Sequence, residues 1–368
     1  MSWVLTILGI VALIVLHELG HFAVAKAVGM RVERFSLFFP PTIARIKRGE
    51  TEYAIGAIPA GGYVKITGMN PEELEDLDPE ATRRAYYNQA PWKRIAVIVA
   101  GPGVNILIAF VLFWAILLSG SRNGAISLGN LDPSLNPVKT STAVLQIEKG
   151  APASTTLHQG DRILTVDGRA VTVESARKAI AAHACAGSLR DGCRAATPVR
   201  LTIRRDGRAR TVSIYPRYDS EAHRMLLGIA FGSIKDYGAF AAASASLSVM
   251  WHATWGTLTG FAKALTSSKT RSEVSSIVGI TKTAHETVVA GPGLAIVFLG
   301  YISLVLAVIN LFPFLPLDGG HVLWSVAEKV RGKRISLAAM YRFSSVGIVL
   351  LLFLVINGVS NDIGRLGG

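Results

Sequence analysis

Two histidines and a glutamate near the N-terminus have the types and the spacing that metal-dependent hydrolysis requires. His17 and His21 are four residues apart, so on a helix both imidazoles lie on one face and can bind one metal ion. Glu18 stands beside His17 in this motif and can activate a water molecule next to that ion. Because a catalytic zinc takes three protein ligands, the motif also predicts a third ligand elsewhere in the chain.

The segment that carries this motif is apolar enough to cross a membrane. Residues 3–27 form a nearly continuous apolar run, and a bilayer needs about 20 such residues. Ionisable side chains are costly at membrane depth, so their presence there is typical of a functional site. A secretory signal peptide is the weaker interpretation, because no basic residue precedes the run. We therefore predict a spanning helix with a hydrolytic site inside the bilayer.

The composition of the whole chain also favours a membrane protein. Half of the 368 residues are hydrophobic even without counting glycine, which is high for a soluble domain. Three further apolar runs, over 95–118, 294–317 and 343–359, predict three more spans. The predicted fold class is a multi-pass α-helical membrane protein with four spanning helices, an inserted small α+β domain and a membrane-associated β-hairpin.

The basic residues predict the orientation in the membrane. A net charge of +13 also suits nucleic-acid binding, but the chain has no motif for it, and we predict no nucleic-acid partner. Lys and Arg collect in short cytoplasmic loops, which indicates that residues 28–94 and 329–342 are cytoplasmic. Both termini and the inserted domain would then lie outside the plasma membrane, with the active site toward the cytoplasmic side.

The cytoplasmic loop 28–94 contains a predicted β-hairpin. Residues 52–66 have the pattern of short strands around a Gly61–Gly62 turn. A solvated hairpin is the plain interpretation, whereas an exposed edge over Gly61–Ile66 would bind an extended peptide by strand addition. The candidate substrate-binding residues are Gly61, Gly62, Tyr63 and Val64.

The second predicted span contains potential helix breakers. Gly101-Pro102-Gly103 is followed closely by Asn105. Such a segment predicts either close helix packing or a backbone that lines a cavity. The second possibility makes Asn105 a candidate substrate contact.

Residues 125–217 are predicted to form the inserted domain. Short alternating strands surround one helix, and the segments 150–153, 157–164 and 166–168 resemble a PDZ domain. Such domains bind extended peptides at a strand edge, although this one could instead only obstruct access to the metal.

Two cysteines lie in a glycine-containing loop of the predicted domain. Cys185 and Cys193 can form a disulfide if the domain is extracytoplasmic, and otherwise remain free thiols.

The third ligand depends on the direction of the helices. Asp318 follows the third span closely, after prolines that end the helix near Asn310. Asp318 can meet the two histidines only if the first and third spans run in the same direction. The second span alone must therefore cross between them, so we predict that the linker 236–290 is interfacial. We interpret His252 in this linker as an interfacial polar residue.

The whole chain resembles the site-2 protease family of intramembrane zinc metalloproteases. The HExxH helix, the Gly101–Asn105 segment, the PDZ-like insertion and the Asn310–Gly319 segment occur in that family's order. The Arg48–Tyr53 and Pro91–Arg94 segments are similar to those of actinobacterial members that process anti-sigma factors.

This resemblance implies one Zn²⁺ per chain and assigns the candidate catalytic residues. His17, His21 and Asp318 would be its ligands. Glu18 would be the catalytic base.

The resemblance also implies how the substrate is held. Asn310 would bind or polarise the substrate, and Gly61–Ile66 would hold it as a strand. The expected substrates are single-span membrane proteins, such as anti-sigma factors, cut within the membrane after a first extracytoplasmic cut. Extracytoplasmic peptide ends are the expected partners of the PDZ-like domain, whose 183–198 insertion departs from the family pattern.

Two other functions are compatible with parts of the sequence. Broken helices with polar residues at membrane depth also build transport sites, but the chain shows no inverted repeat and a transporter leaves Glu18 unexplained. A membrane-anchored peptide sensor with an inactive metal site is the other alternative.

Overall fold

The computed structural model describes residues 2–119, 122–135, 141–232, 237–333 and 335–366. The chain forms two compact units. The helical unit consists of Met1–Ile116 and Ala239–Gly368, and the inserted unit of Leu117–Gly238.

The secondary structure alternates between long helices and two groups of strands. The helices are α1 (Ser2–Ala27), α2 (Pro79–Arg84), α3 (Pro91–Leu118), α4 (Arg122–Leu131), α5 (Val173–Ala181), α6 (Ala239–Thr266), α7 (Ser268–Glu273), α8 (Ile277–Ala290), α9 (Pro292–Asn310), α10 (Asp318–Arg331) and α11 (Leu337–Leu366). The strands are β1 (Val32–Arg48), β2 (Thr51–Ile66), β3 (Val144–Ile147), β4 (Arg162–Val166), β5 (Arg169–Ala170), β6 (Val199–Arg205), β7 (Arg208–Ile214), β8 (Arg217–Asp219), β9 (Arg224–Leu226) and β10 (Ile229–Phe231).

Among the described residues, four helices are long and apolar enough to cross a membrane. They are α1, α3, α9 and the Ala338–Arg365 part of α11. Their outer faces carry exposed apolar side chains, such as Val4 and Leu8 with 59% and 58% of their surface exposed, as lipid-facing helices do. The protein is therefore a membrane protein with the predicted number of candidate spans.

Two of the spans have features that matter for the site. The third span, predicted over 294–317, ends at Asn310, and the proline-containing turn 311–317 leads into α10 at Asp318. For the second span the sequence left open close helix packing or a cavity-lining backbone at Gly101-Pro102-Gly103, and α3 continues through Pro102 as one helix. The glycines beside this proline therefore do not break the helix.

Helices α1 and α9 run in the same direction. A Cβ on Gly9 would touch Leu299 at 3.1 Å, and further along both helices His17 contacts Asp318 just beyond the end of α9. Trp3 stacks on His285 of α8, which precedes α9, with ring centroids 3.8 Å apart. The direction that the third ligand requires is therefore present.

Helix α3 runs in the opposite direction between them. Near its beginning, Val97 contacts His21 at the end of α1, whereas Phe113 near its end meets Gly300 in the first half of α9. The Ser303 hydroxyl donates a hydrogen bond to a backbone carbonyl of α3 at 2.9 Å. The three helices thus form an antiparallel arrangement around the motif.

The linker before α9 is placed differently from the interfacial position predicted for 236–290. At the start of α6, the Ala239 carbonyl accepts a hydrogen bond from Trp114 near the end of α3. Near its other end, Phe261 packs on Phe312, just after α9. Because α3 and α9 run in opposite directions, these contacts lie at opposite ends of the bundle. Helix α6 therefore extends along the spans.

The chain then returns before α9 begins. The Ser276 backbone and hydroxyl, at the start of α8, donate to the Asp362 carboxylate near the end of α11 at 2.8 and 2.6 Å. Because the chain returns after α6 has run along the spans, α9 keeps the direction of α1. The prediction overlooked it because it assumed that the linker either crosses once or not at all.

Strands β1 and β2 form an antiparallel pair beside the end of α1. The chain reverses at Gly49–Glu50, where Gly49 has a φ of +60°, which favours glycine. Within β2 the chain reverses direction once more between Ile55 and Gly62, because residues 52–55 and 62–65 align with the same residues 34–37 of β1 in opposite senses. The predicted short strands around Gly61–Gly62 are therefore present, and Gly62, opposite Leu37, begins the second of them.

The hairpin is anchored to α1 and α2 by ion pairs. Glu50 contacts Lys26 at 2.6 Å and Arg84 at 2.7 Å. The hydrogen bonds from Arg84, with help from Lys26, lower the pKa of Glu50 to about 2. A shared core lies beneath this corner of the helical unit and contains Ala25, Met30, Val32, Ile66, Tyr86, Val97 and Ile98.

The inserted unit contains a four-stranded antiparallel sheet in the order β5-β4-β6-β7. Helix α5 packs against it through Ala176 and Ile180. Two smaller pairs, β10–β3 and β8–β9, continue the unit to Phe231, beyond the predicted boundary at 217. The PDZ-like identity of this unit stays a prediction.

A loop of the inserted unit is closed by a disulfide. Cys185 and Cys193 are bonded, with their Cα atoms 5.9 Å apart. The loop pairs with β8, where the Tyr218 amide donates to the Cys193 carbonyl at 2.9 Å.

Candidate metal centre and active site

Three side chains from distant parts of the chain meet at one point of the helical unit. The Nε2 atoms of His17 and His21 are 3.2 Å apart, and each lies 3.3 Å from the Asp318 Oδ2. Both histidines are more than 90% buried. The structure therefore brings together the three residues that were predicted to bind a metal.

The local sequence explains how each donor reaches this point. Residues four apart on α1 project the two imidazoles from one face. Asp318 begins α10 immediately after the turn 311–317. A Cβ on Gly319 would overlap the Leu311 carbonyl, and one on Gly320 would overlap the turn as well. The two glycines therefore let the turn fold tightly onto the first turn of α10 and fix the aspartate.

Helix α3 supports His21 through its backbone. The His21 Nδ1 lies 2.8 Å from the Val97 carbonyl oxygen, which requires the proton to be on Nδ1. The Nε2 lone pair then points to the centre, as in known metal sites, where a hydrogen bond to the other ring nitrogen fixes the tautomer.

Gly101 is a functional position that the sequence analysis did not identify. A Cβ there would overlap the His21 ring, and a Cβ on Gly20 of α1 would lie 2.7 Å from the Ala100 carbonyl oxygen. These two glycines allow α1 and α3 to touch beside the metal centre. The sequence signal for it was the Gly-Pro-Gly segment, which indicates either close helix packing or a cavity-lining backbone.

Glu18 faces the strand β2 at the edge of the centre. It accepts a hydrogen bond from the Val64 backbone, and a Cβ on Gly62 would lie 3.3 Å from the Glu18 Cγ and 2.9 Å from the Ser36 carbonyl oxygen. The missing side chain at Gly62 thus lets β2 approach both β1 and the glutamate.

A cavity of about 400 Å³ opens beside the three donors and Glu18. The predicted substrate residues Gly61, Gly62, Tyr63, Val64 and Asn310 all line it. Its remaining walls are Ile14, Phe39, Ile66, Met69, Leu306 and Pro316. The cavity therefore joins the candidate catalytic residues to a strand edge and to one amide side chain.

Asn105 lies apart from the other predicted substrate residues. It does not line the cavity and has no exposed surface. A substrate in the cavity does not reach this side chain in the conformation described.

The donor set fits a zinc ion. Two imidazole nitrogens and a carboxylate oxygen are typical zinc ligands. Three atoms separated by 3.2–3.3 Å surround a point roughly 1.9 Å from each, and zinc bonds to such atoms are about 2.0–2.2 Å long. Without a shared cation or proton, their lone pairs would repel one another in a buried place.

The HExxH helix that meets a distant aspartate at a buried candidate metal site, in a protein with four candidate spans, is typical of membrane metalloproteases. The chain matches the model of peptidase family M50 over residues 5–354 and belongs to that family.

Similar proteins cover most of the chain. It is 34% identical over 372 residues to the zinc metalloprotease Rip1 of Mycobacterium tuberculosis (strain H37Rv), covering 89% of this chain and 86% of that protein. It is 30% identical over 388 residues to Rip1 of Mycolicibacterium smegmatis, covering 95% and 91%. A putative zinc metalloprotease of Xylella fastidiosa (strain 9a5c) is 26% identical over 438 residues, covering 95% and 96%.

These findings confirm the predicted family, the enzyme class and the zinc cofactor. They favour a peptidase over the transporter and the inactive sensor that the sequence left open.

Proposed function

We propose that this protein is an intramembrane zinc endopeptidase in which His17, His21 and Asp318 bind the metal and Glu18 is the catalytic base. The observation that carries the proposal is the convergence of three donor atoms within 3.3 Å of one another, beside Glu18 and at the wall of one cavity. A structural site would have no need of a free carboxylate in the cavity next to it.

The chemistry divides between the cofactor and the chain. When bound, zinc supplies a Lewis acid that activates water at neutral pH. The Glu18 carboxylate then takes a proton from the attacking water and returns it to the leaving amine, as a general base and acid. Its hydrogen bond to the Val64 backbone holds it in the cavity.

The substrate strand is proposed to bind along Gly61–Ile66. One edge of this segment pairs with β1, and no strand pairs with its other edge among the residues that the structure describes. Gly61–Val64 and Glu18 line the same cavity, so an extended peptide added to the unpaired edge would lie next to Glu18. The Asn310 amide, across the cavity, can donate a hydrogen bond to a peptide carbonyl.

The proposed substrate is the transmembrane segment of a single-span protein, such as an anti-sigma factor. A helical segment hides its peptide bonds in internal hydrogen bonds, so it must unwind before it can pair with β2. The backbone bonds made with the strand compensate for those lost in the helix.

The proposed topology follows from the charge distribution. The loops 28–94 and 329–342 are cytoplasmic, and the inserted unit is outside the plasma membrane. There it acts as a PDZ-like gate that excludes substrates whose outer domain has not been trimmed.

The replacement Glu18→Gln tests the catalytic assignment. The purified variant should keep its zinc content but cleave a reconstituted single-span substrate at least ~100-fold more slowly, because the general base is missing. Glu174→Gln makes the same chemical change on an exposed residue of α5 and should leave the rate unchanged. Wild-type cleavage by the Glu18→Gln protein, or a loss of its zinc, would contradict the assigned role.

A further inference from the structure

The two histidines of the metal centre are supported unequally. The His21 Nδ1 has the Val97 carbonyl as its partner, whereas the His17 Nδ1 is buried and has no hydrogen-bond partner among the described residues. A metal-binding histidine almost always donates its second ring N–H to an acceptor, which fixes its tautomer and orientation. The arrangement therefore calls for an acceptor near His17.

Asn105 is a buried amide without a role in the cavity. It has no exposed surface, and neither its Oδ1 nor its Nδ2 has a hydrogen-bond partner within the described part of the chain. Natural proteins rarely leave a buried amide unpaired, and such a group calls for an explanation. Its backbone is held in place, because the Asn105 carbonyl accepts a hydrogen bond from Ser303.

The helix geometry places these two groups at the same level. Helices α1 and α3 are antiparallel and touch where His21 lies against Gly101. His17 is one turn before His21 on α1, and Asn105 is one turn after Gly101 on α3, about 6 Å along each axis in the same direction. Helical side chains lean toward the N-terminus of their own helix, so Asn105 leans toward the metal centre.

We propose that Asn105 is the positioning residue for His17, with its Oδ1 accepting the Nδ1–H directly or through one buried water. The inference rests on the proposed metal centre and replaces the substrate contact that the sequence predicted for Asn105. An amide that also has a free Nδ2 can hold such a water with a second bond, and a buried water needs two or more polar partners.

The consequence concerns the tautomer of His17. With an acceptor at Nδ1, the Nε2 lone pair remains available for the metal. Without it, the proton can move to Nε2, where it blocks ligation. Loss of such a partner lowers metal affinity about 10–100-fold in comparable sites.

The test compares two replacements at Asn105 in the full-length protein in detergent. Asn105→Leu removes the acceptor at similar volume, and the dissociation constant for zinc, measured by chelator competition, should rise about 10–100-fold. Asn105→Asp keeps an acceptor oxygen and should bind zinc within about threefold of wild type, as carboxylate–histidine–zinc arrangements do.

Thermal unfolding of the zinc-free proteins separates positioning from packing. Zinc-free Asn105→Leu loses one neutral hydrogen bond but also a buried amide, so its free energy of unfolding should stay within about 1 kcal/mol of the zinc-free wild type. Ser303→Ala, which removes only the bond to the Asn105 backbone, should leave zinc affinity unchanged. A purely structural role would lower the stability of zinc-free Asn105→Leu without changing its zinc affinity.

Several outcomes would overturn the proposal. Wild-type zinc affinity of Asn105→Leu is one, and an equal loss of affinity in Asn105→Asp is another, which remains measurable if the leucine variant does not fold. His21→Ala is measured in parallel. If His21→Ala binds zinc as tightly as the wild type, the assignment of the metal ligands fails. If His21→Ala loses zinc but Asn105→Leu binds it as tightly as the wild type, only the positioning role of Asn105 fails.

Discussion

Replacing Gly101 by alanine would insert one methyl group between α3 and the metal centre. The added Cβ would lie 2.6 Å from the His21 Cε1 and 2.8 Å from its Cδ2. Carbon atoms pack at about 3.5–4.0 Å, so the imidazole would have to move by roughly 1 Å. Zinc sites tolerate changes in ligand distance of only about 0.2 Å.

We therefore expect Gly101→Ala to lose zinc before it loses its fold. The zinc dissociation constant, measured by chelator competition, should rise on the order of 100-fold or more, because a displaced ligand costs at least as much as a lost supporting bond. Overpacking should lower the free energy of unfolding by about 1–3 kcal/mol. Substrate cleavage at limiting zinc should fall in parallel.

Gly103→Ala is a matched control on the same helix. Nothing lies within 4 Å of a Cβ built at Gly103, so this variant should bind zinc normally and be stabilised by up to about 1 kcal/mol. Normal zinc affinity in Gly101→Ala would refute the contact between α3 and His21. Equal losses in both variants would show that the effect belongs to the Gly-Pro-Gly backbone.

Two further predictions concern ion pairs. Arg94 of α3 and Glu328 of α10 form an ion pair 2.6 Å apart, with 6% and 7% of their side chains exposed. Glu328→Gln leaves the Arg94 charge buried without its partner and should lower the free energy of unfolding by about 3–5 kcal/mol. Replacing both Arg94 and Glu328 by leucine should recover most of this loss. Thermal unfolding of the purified protein measures this, and a loss below 1 kcal/mol would refute burial of the pair. In the inserted unit, burial raises the pKa of Asp161, but the hydrogen bonds from Arg205 and from the His158 backbone, together with the Arg205 charge, outweigh burial and lower the pKa. The ionised Asp161 therefore stabilises the unit above its unfolded pKa of about 3.9, and this contribution is lost as the pH falls below that value. Asp161→Asn should speed hydrogen exchange in β4 at neutral pH, and it should reduce the loss of protection that the wild type shows below about pH 4. An unchanged dependence of protection on acid pH would contradict the lowered pKa.

Much of the fold could be predicted because its signals are local. The apolar runs gave the four candidate spans, since length and composition alone decide whether a helix can cross a bilayer. The pairing of His17 with His21 needs only helix periodicity. Asp318 could also be predicted. The number of membrane crossings determines the direction of each span, and the direction determines at which side of the membrane the end of a span lies.

The linker before α9 could not be predicted in this way. Helix α6 has moderate hydropathy and reaches from Trp114 to Phe312, and the return through α8 depends on contacts with Asp362. Hydropathy records how apolar a segment is and contains no information on whether the chain comes back. Pairwise contacts between distant segments decide that.

The glycines hold the other part of the site that the sequence did not assign, and for one physical reason. Gly62 was interpreted as part of a turn, and Gly101 as a sign of close helix packing or of a cavity-lining backbone, but neither interpretation named the side chain that the glycine approaches. In both places a backbone comes close to a side chain of the proposed active site, Glu18 in the first case and His21 in the second. A missing side chain permits a turn and a close approach equally well, so the residue alone does not distinguish them. In the proposed active site the HExxH helix provides the reactive side chains, and glycines on β2 and α3 let the backbones of these elements approach them.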